Sequence, residues 1–190
     1  MPNRPKYYWD ACAWIALIKR EPGRFELCRH VFDLAQRQEI ELWTSAFTLA
    51  EVYKRKCDVK TDGIASEQDV QFEEFIMQDC VIVAQVDVDV GTAARRLLRT
   101  YPQIGKPQDA IHVATAIINN LDELHTFDRT DLLELNGVLD RLDGVKLKIC
   151  PPPSPPPPEP KQAQTDLFNK DEIKDAGEER DDTRGTGSAG

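Results

Sequence analysis

Short apolar runs alternate with amphipathic segments along the first 150 residues. Aromatic and β-branched residues cluster at 7–9, 40–43, 80–86, 124–127 and 145–149, which is typical of buried strands. Between these runs, apolar residues recur every three or four positions, which predicts helices at 11–19, 24–37, 47–56, 66–77, 87–101, 106–119 and 132–135. Strands that alternate with helices favour a parallel sheet with helices on both faces. We therefore predict a three-layer α/β/α domain with a mostly parallel sheet of four or five strands.

The composition changes after residue 150. Eight of the 13 prolines lie between Pro151 and Pro160, and residues 151–190 carry 9 acidic and 5 basic residues with few apolar ones. Such a segment buries too little apolar surface to offset the entropy cost of ordering it. We predict a folded domain at 1–150 and a Pro-rich, acidic, disordered tail at 151–190. The pentapeptide from Gln164 to Phe168 resembles the motif by which bacterial proteins bind the replication sliding clamp; a chance match in a solvated tail is the alternative.

The net charge of −9 argues against a protein that coats nucleic acid by charge alone. It agrees with a site in which carboxylates are grouped around a cation. The five cysteines form no CxxC pair, so free thiols in a reducing compartment are the simpler interpretation. The N-terminal apolar run is short and broken by Asp10, which matches neither a signal peptide nor a membrane span. We expect a cytoplasmic protein.

Four carboxylates stand at positions where the predicted fold would bring them together. Asp10 and Asp128 follow two strands, and the carboxyl ends of parallel strands meet at the same edge of a sheet. Asp109 lies in the first turn of the helix before the fourth strand. Glu51 lies on the flank of the third helix, away from its expected apolar centre at Ala46, Leu49, Ala50 and Tyr53. Two carboxylates about 4 Å apart repel by about 4 kcal/mol at an effective dielectric constant near 20, so four in one pocket cannot all stay ionised without a cation.

An oxygen-only ligand set favours Mg²⁺ or Mn²⁺ over zinc. Each acid also has an ordinary structural alternative. Asp10 can cap the next helix, Asp109 can interact favourably with a helix dipole, and Asp128 can serve a turn. Glu51 can pair with Lys54 or Arg55 one turn later. Beyond these acids, Asp131 is either a helix cap or an outer metal ligand, His112 is predicted to be a packed imidazole, and Cys12 is predicted to pack in the core.

Four segments carry a resemblance to a known family. WDACAWIALI, TLAEVYKR, KPQDAIHVATA and HTFDRTDLL resemble, in that order, the four acidic motifs of the PIN domain, and in particular the single-domain toxin nucleases of the VapC type. The resemblance covers about residues 6–150. It implies that the catalytic and metal-binding residues are Asp10, Glu51, Asp109 and Asp128. It also implies supporting roles for Thr126, which matches the hydroxyl two positions before the last acid, and for Asp131.

The chain departs from the family pattern after the first acid. The family often has Ser or Thr there, whereas this chain has Ala11 and Cys12. Either the missing hydroxyl weakens the positioning of the metal, or a water substitutes for it. The basic residues that neighbour the acids in sequence, Lys54, Arg55 and Arg129, are candidates for contact with RNA phosphates; a solvated helix face is the alternative for the first two.

The resemblance implies a Mg²⁺- or Mn²⁺-dependent endoribonuclease of toxin type, with an RNA substrate, a homodimeric state and a cognate antitoxin. A second hypothesis is a non-catalytic PIN-like binding module whose tail recruits partners. A third, a response-regulator receiver, is disfavoured because the strand at 80–86 ends in a helix cap, Asp87, and no lysine stands directly after the fourth strand, which ends at Phe127.

Overall fold

The computed structural model describes residues 4–52 and 63–157. Its five strands are β1 (Lys6–Trp9), β2 (Glu41–Ser45), β3 (Val81–Ala84), β4 (Glu123–His125) and β5 (Lys148–Cys150). They form one sheet in the order β3-β2-β1-β4-β5, and every neighbouring pair is parallel. The predicted parallel sheet is therefore confirmed, with five strands.

Within these described ranges, six α-helices connect the strands. They are α1 (Ala11–Ile18), α2 (Phe25–Gln36), α3 (Ala46–Glu51), α4 (Ser66–Ile76), α5 (Val88–Thr100) and α6 (Pro107–Ile118), and a single 3₁₀ turn spans Leu133–Leu135. Three of these helices have a side-chain cap at the N-terminus. The side-chain oxygens of Asp10, Ser45 and Asp87 each accept a hydrogen bond from a backbone N–H in the first turn. Pro107 occupies the start of α6, where its missing N–H costs no hydrogen bond.

Two hydrophobic cores lie on opposite faces of the sheet, as the alternation along β1 requires. Trp9 points into the first core, where it packs edge-on against Trp14 of α1 with the ring centroids 4.9 Å apart. Trp14 also contacts the ring of Phe72 in α4. Tyr8 points into the second core, which is built mainly from α5, α6 and β4. Helices thus cover both faces, which confirms the three-layer α/β/α arrangement.

Several details differ from the sequence predictions. The helix predicted at 47–56 is described only as far as Glu51, and residues 53–62 lie outside the described ranges. The prediction that Leu49 and Ala50 belong to the apolar centre of this helix is wrong, since Leu49 is 42% exposed and Ala50 is exposed. Thr48 is buried instead, because its hydroxyl hydrogen-bonds the buried hydroxyl of Thr44 at 2.9 Å. β3 stops at Ala84 because the chain then leaves the sheet towards the cap of α5.

The predicted core position of Cys12 is also wrong. Cys12 is exposed in the first turn of α1, whereas the next two residues, Ala13 and Trp14, are buried against the sheet. The cysteines in the described ranges are free thiols, as predicted.

The described chain continues past the predicted domain boundary at residue 150. The carbonyl of Cys150 accepts the N–H of Thr126 at 3.1 Å, and Pro152 is buried. Residues 158–190, including the segment from Gln164 to Phe168, lie outside the described residues, so the disordered tail and its clamp motif stay predictions. None of the helices in the described part of the chain combines the length and the hydropathy needed to span a bilayer.

Candidate metal centre at the carboxyl edge of the sheet

Three carboxylates meet beyond the carboxyl end of β4. Asp109, Asp128 and Asp131 each offer an oxygen that lies within 4.8 Å of the others. Asp109 comes from the first turn of α6, and the other two come from the loop after β4. That loop is fixed by Asp128, whose Oδ1 accepts the backbone N–H and hydroxyl of Thr130 and the N–H of Asp131. Its Oδ2 makes none of these three bonds.

Asp109 has a buried carboxylate oxygen that makes no hydrogen bond. Among the side-chain nitrogen and oxygen atoms of residues 4–52 and 63–157, its Oδ2 is the only one that is buried without a hydrogen-bond partner. Burial raises the pKa of Asp109 to about 6; Lys106 opposes this shift, while Asp128 and Asp131 add to it. Leaving a buried polar atom unpaired costs about 1–3 kcal/mol, and each such atom needs an explanation. A hard cation between the three carboxylates would satisfy this oxygen, so the residues present fit Mg²⁺ or Mn²⁺.

Unlike Asp109, Asp128 has hydrogen bonds that stabilise its ionised carboxylate. Burial acts to raise the pKa of this carboxyl, but the hydrogen bonds from Thr130 and from the Asp131 amide outweigh burial and lower the pKa. Asp128 therefore stays ionised more readily than Asp109. Lys106 approaches the same group from the start of α6, with its Nζ 2.8 Å from an Asp131 oxygen and 4.0 Å from Asp128 Oδ2.

Asp10 lies at the end of β1, 3% exposed, where it accepts the backbone N–H of Ala13 at 3.1 Å. Burial raises the pKa of this carboxyl, while His112 and the Thr126 hydroxyl act to lower it. The same hydroxyl accepts the backbone N–H of Asp128 at 3.0 Å. Thr126 thus lies between two of the predicted acids, and the supporting role that the resemblance implies for it stays a prediction.

Glu51 is tied to α6 by a buried chain of hydrogen bonds. Its Oε2 pairs with Nε2 of His112 at 2.5 Å, and Nδ1 of His112 pairs with the Tyr8 hydroxyl at 2.7 Å. The prediction that His112 is a packed, satisfied imidazole is confirmed. The chain of bonds fixes Glu51 against the helix that also carries Asp109, which the sequence spacing did not reveal.

The four predicted acids do not form one tight ligand group in this structure. Among the described residues, the group within 4.8 Å holds Asp109 and Asp128 but neither Asp10 nor Glu51. All four nevertheless lie near Cys12. Although part of Cys12 reaches solvent, desolvation and the charges of these four carboxylates raise the pKa of its thiol.

Positive charge at this edge comes partly from residues that the sequence analysis missed. Arg129 is exposed beside Asp128, as a contact with phosphate requires, while Lys54 and Arg55 lie outside the described residues. The guanidinium of Arg24 lies 4.8 Å above the ring of Phe127, the residue before Asp128. Neither Arg24 nor Lys106 shows a sequence signal beyond ordinary surface charge.

A second group, Glu123, His125 and Cys150, also has ligand atoms within 4.8 Å of one another, but its members satisfy each other. The indole N–H of Trp9 donates to His125 Nδ1, so Nε2 carries the proton and donates to Glu123 at 3.0 Å. Glu123 also accepts from Lys148 at 2.8 Å and from the Cys150 thiol at 3.5 Å. Burial raises the pKa of the Cys150 thiol to about 12, so the thiol stays protonated and donates its hydrogen bond to Glu123. We interpret this group as a structural link between β4 and β5.

Comparison with known proteins agrees with this architecture. The family model described as PIN domain matches residues 7–136. The VapC20 protein of Mycobacterium tuberculosis, described as a sarcin-ricin loop cleaving toxin, is 19% identical with a TM-score of 0.51, over 64% of this chain and 89% of its own. VapBC2 of Rickettsia felis, whose structure is described as bound to a DNA fragment from its promoter, is 15% identical with a TM-score of 0.49. The match covers 75% of this chain and 97% of the VapBC2 chain. At 19% identity, the comparison with VapC20 shows likeness of fold alone. No curated protein matches the sequence.

Proposed function

Because the chain belongs to the PIN domain family, we propose that it is a divalent-metal-dependent endoribonuclease of toxin type. It would hydrolyse RNA phosphodiester bonds at the carboxyl edge of the sheet. One observation supports the proposal above the others: Asp109 Oδ2 is buried and unpaired within a group of three carboxylates. A buried anionic oxygen that no protein donor satisfies is the expected state of a metal ligand without its ion.

The proposed metal-binding and catalytic set keeps Asp10, Glu51, Asp109 and Asp128 and adds Asp131. These carboxylates would hold Mg²⁺ or Mn²⁺, and the ion would supply the chemistry of activating a water and stabilising the charge on a phosphodiester. The protein contributes fixed geometry, since Thr130 and the Asp131 amide hold the Asp128 carboxylate. His112 holds Glu51 in the same way.

The substrate and partners are proposed from the family resemblance. An RNA substrate agrees with exposed cations beside the acids, because phosphate contacts need positive charge; Arg24 and Arg129 are the described examples. The fold is shared with VapC20, which is described as a toxin that cleaves the sarcin-ricin loop. We extend to this chain a cognate antitoxin that blocks the site, a homodimeric state and a cytoplasmic location.

A cleavage assay tests the proposal. Purified protein should cut RNA with Mg²⁺ or Mn²⁺ and stop when the metal is chelated. Asp109→Asn keeps the size of the side chain and removes the charge, so it should fold and lose activity. Asp140→Asn is the matched control, because Asp140 is an exposed partner of Lys146 outside the carboxylate group. Metal-independent cleavage, or full activity in Asp109→Asn, would contradict the proposal.

A non-catalytic binding module is the second candidate. It is favoured by Lys106, which already supplies one positive charge to the carboxylates, and by Ala11 and Cys12 in place of a hydroxyl after Asp10. This candidate predicts that wild-type protein gives neither metal-dependent cleavage nor metal-dependent stabilisation.

The two-part organisation is a proposal with its own test. We propose that the nuclease domain of about residues 1–150 works without the tail. Because Pro152 is buried, the truncated chain should end at Pro156 rather than at residue 150. It should cleave RNA as the full chain does. In the full chain, Leu167 and Phe168 are proposed as the clamp anchors; replacing both with Ala should abolish pull-down by purified clamp, since few apolar anchors dominate so small an interface.

A further inference from the structure

The ammonium group of Lys106 lies against the candidate metal centre. Its Nζ is 2.8 Å from Asp131 Oδ2 and 4.0 Å from Asp128 Oδ2. We propose that Lys106 is a tethered counter-ion, which neutralises these carboxylates in the metal-free protein and competes with the divalent ion for them. The inference rests on the proposed function and adds a residue that raises the metal concentration required to occupy the site.

Lys106 fits this role because its ammonium group can move away from the carboxylates at little cost in free energy. Its side chain is 59% exposed and contacts carboxylates that themselves reach solvent. Ion pairs in such surroundings change an equilibrium constant by about two- to fivefold, so the lysine is a weak competitor. A divalent ion brings twice the charge and displaces the ammonium group, which then swings into solvent on its flexible stem.

The lysine satisfies only part of the group. One ammonium faces three carboxylates, so the group keeps a net negative charge when all three are ionised. The contacts of Lys106 reach Asp131 and Asp128, whereas Asp109 Oδ2 remains buried and unpaired. The arrangement thus lowers the repulsion in the metal-free state and still leaves one oxygen that a cation between the three residues would satisfy.

The consequence is a raised threshold for metal. With Lys106 removed, the metal-free carboxylates lose their nearby positive charge, so the free protein becomes less stable and the metal-bound protein is unaffected. The apparent affinity for metal therefore increases. The metal concentration that gives half-maximal RNA cleavage decreases by the same factor.

Calorimetric titration with Mn²⁺ tests this directly, at fixed pH and ionic strength. Lys106→Met keeps the length of the stem and removes the charge, and its Kd for Mn²⁺ should fall about two- to fivefold relative to wild type. Lys106→Arg keeps the charge and should bind close to wild type. Lys146→Met is the matched control, because Lys146 is 54% exposed and pairs at 2.7 Å with Asp140. Its Kd should equal that of wild type.

A second readout is the melting temperature without metal. It should be lower for Lys106→Met than for wild type, and saturating Mn²⁺ should remove this difference. Any change in Lys146→Met, which loses its own pair with Asp140, should persist in Mn²⁺. Equal or weaker Mn²⁺ binding by Lys106→Met would overturn the inference while the proposed function stands. If wild type and all variants give no binding heat and no thermal shift, the proposed metal-dependent function itself fails, and the inference fails with it.

Discussion

Among the described residues, two groups of side chains lie close enough to share a metal ion, and their polar atoms are satisfied to different degrees. We call them the mixed cluster (Glu123, His125 and Cys150) and the acidic cluster (Asp109, Asp128 and Asp131). In the mixed cluster, the hydrogen bonds that link the residues to one another are completed by bonds from Trp9 and Lys148. In the acidic cluster, one buried oxygen has no partner. Proximity of ligand types is therefore a weaker indication of a metal site than an unsatisfied buried atom.

The pKa values separate the two clusters in the same sense. The hydrogen bond from His125 lowers the pKa of Glu123 to about 2, with burial acting against it and Lys148 assisting. That carboxylate is stable as an anion and gains little from a further cation. Burial raises the pKa of Asp109 to about 6, so its ionised form is the unfavourable one. A cation at the acidic cluster relieves a cost that the fold itself imposes.

Removing one charge from each cluster should give the largest contrast. Asp128→Asn should lower metal-dependent RNA cleavage by at least about 100-fold, because a bound metal contributes several kcal/mol to stabilising the transition state. Glu123→Gln should leave the rate of the folded protein within about twofold of wild type. The check is initial rates on one RNA at saturating metal, with circular dichroism to confirm folding. Comparable losses in both variants would break the comparison.

Metal should stabilise the protein through the acidic cluster alone. At a Mn²⁺ concentration about 100-fold above Kd, the free energy of unfolding should rise by about 2.7 kcal/mol. The gain should be much smaller in Asp109→Asn and unchanged in Cys150→Ser. Urea titrations with and without Mn²⁺ measure it. A gain that depends on Cys150 would reverse the roles of the two clusters.

Disrupting the mixed cluster should affect stability rather than chemistry. His125→Leu leaves the Trp9 indole N–H without its acceptor and Glu123 without its buried donor. The free energy of unfolding should fall by about 2 kcal/mol, the usual cost of unpaired buried polar groups. Cleavage per folded molecule should persist, as judged by activity at a temperature below the transition. Loss of activity without loss of stability would assign His125 to the chemistry.

The smallest effect is a pH dependence with opposite signs in the two clusters. Protonated Asp109 stabilises the metal-free fold, since its folded pKa of about 6 exceeds the ordinary value of 3.8. That stability is present below about pH 4 and is lost as pH rises through about 6, by about 1 kcal/mol after allowing for solvent exposure. Glu123 acts oppositely, since its contribution is present above its ordinary value of 4.5 and is lost as pH falls towards about 2.

The measurement is the free energy of unfolding without metal, from about pH 4 to about pH 7. Subtracting the Asp109→Asn curve from the wild-type curve should leave the decrease assigned to Asp109. A difference that stays flat across this range would show that Asp109 is already ionised at its lower end.

Much of the fold follows from local pattern. The order of strands and helices, the caps at Asp10 and Asp87 and the parallel sheet were predictable, because period and capping chemistry depend on residues near in sequence. Burial within α3 was not, since Thr48 bonds Thr44, whose own hydroxyl donates to the Trp9 carbonyl 35 positions away, while Leu49 is left at the surface.

The acidic residues were predictable from motif order, but their partners were not. The bonds from Glu51 to His112 and from His112 to Tyr8 span 61 and 104 positions, and only the folded chain brings these residues together. The contact of Lys106 with Asp131 spans 25 positions and has no local signature. The mixed cluster escaped notice for the same reason, because strand pairing places His125 beside Cys150.

One measurement addresses the difference between the clusters most directly. Crystals of the full chain soaked in Mn²⁺ would be measured at a wavelength where manganese scatters anomalously. The account predicts an anomalous peak among the carboxylates of Asp109, Asp128 and Asp131, with Lys106 turned away, and no peak at Glu123, His125 and Cys150. A peak at the mixed cluster, or no peak at the acidic cluster under saturating Mn²⁺, would contradict it.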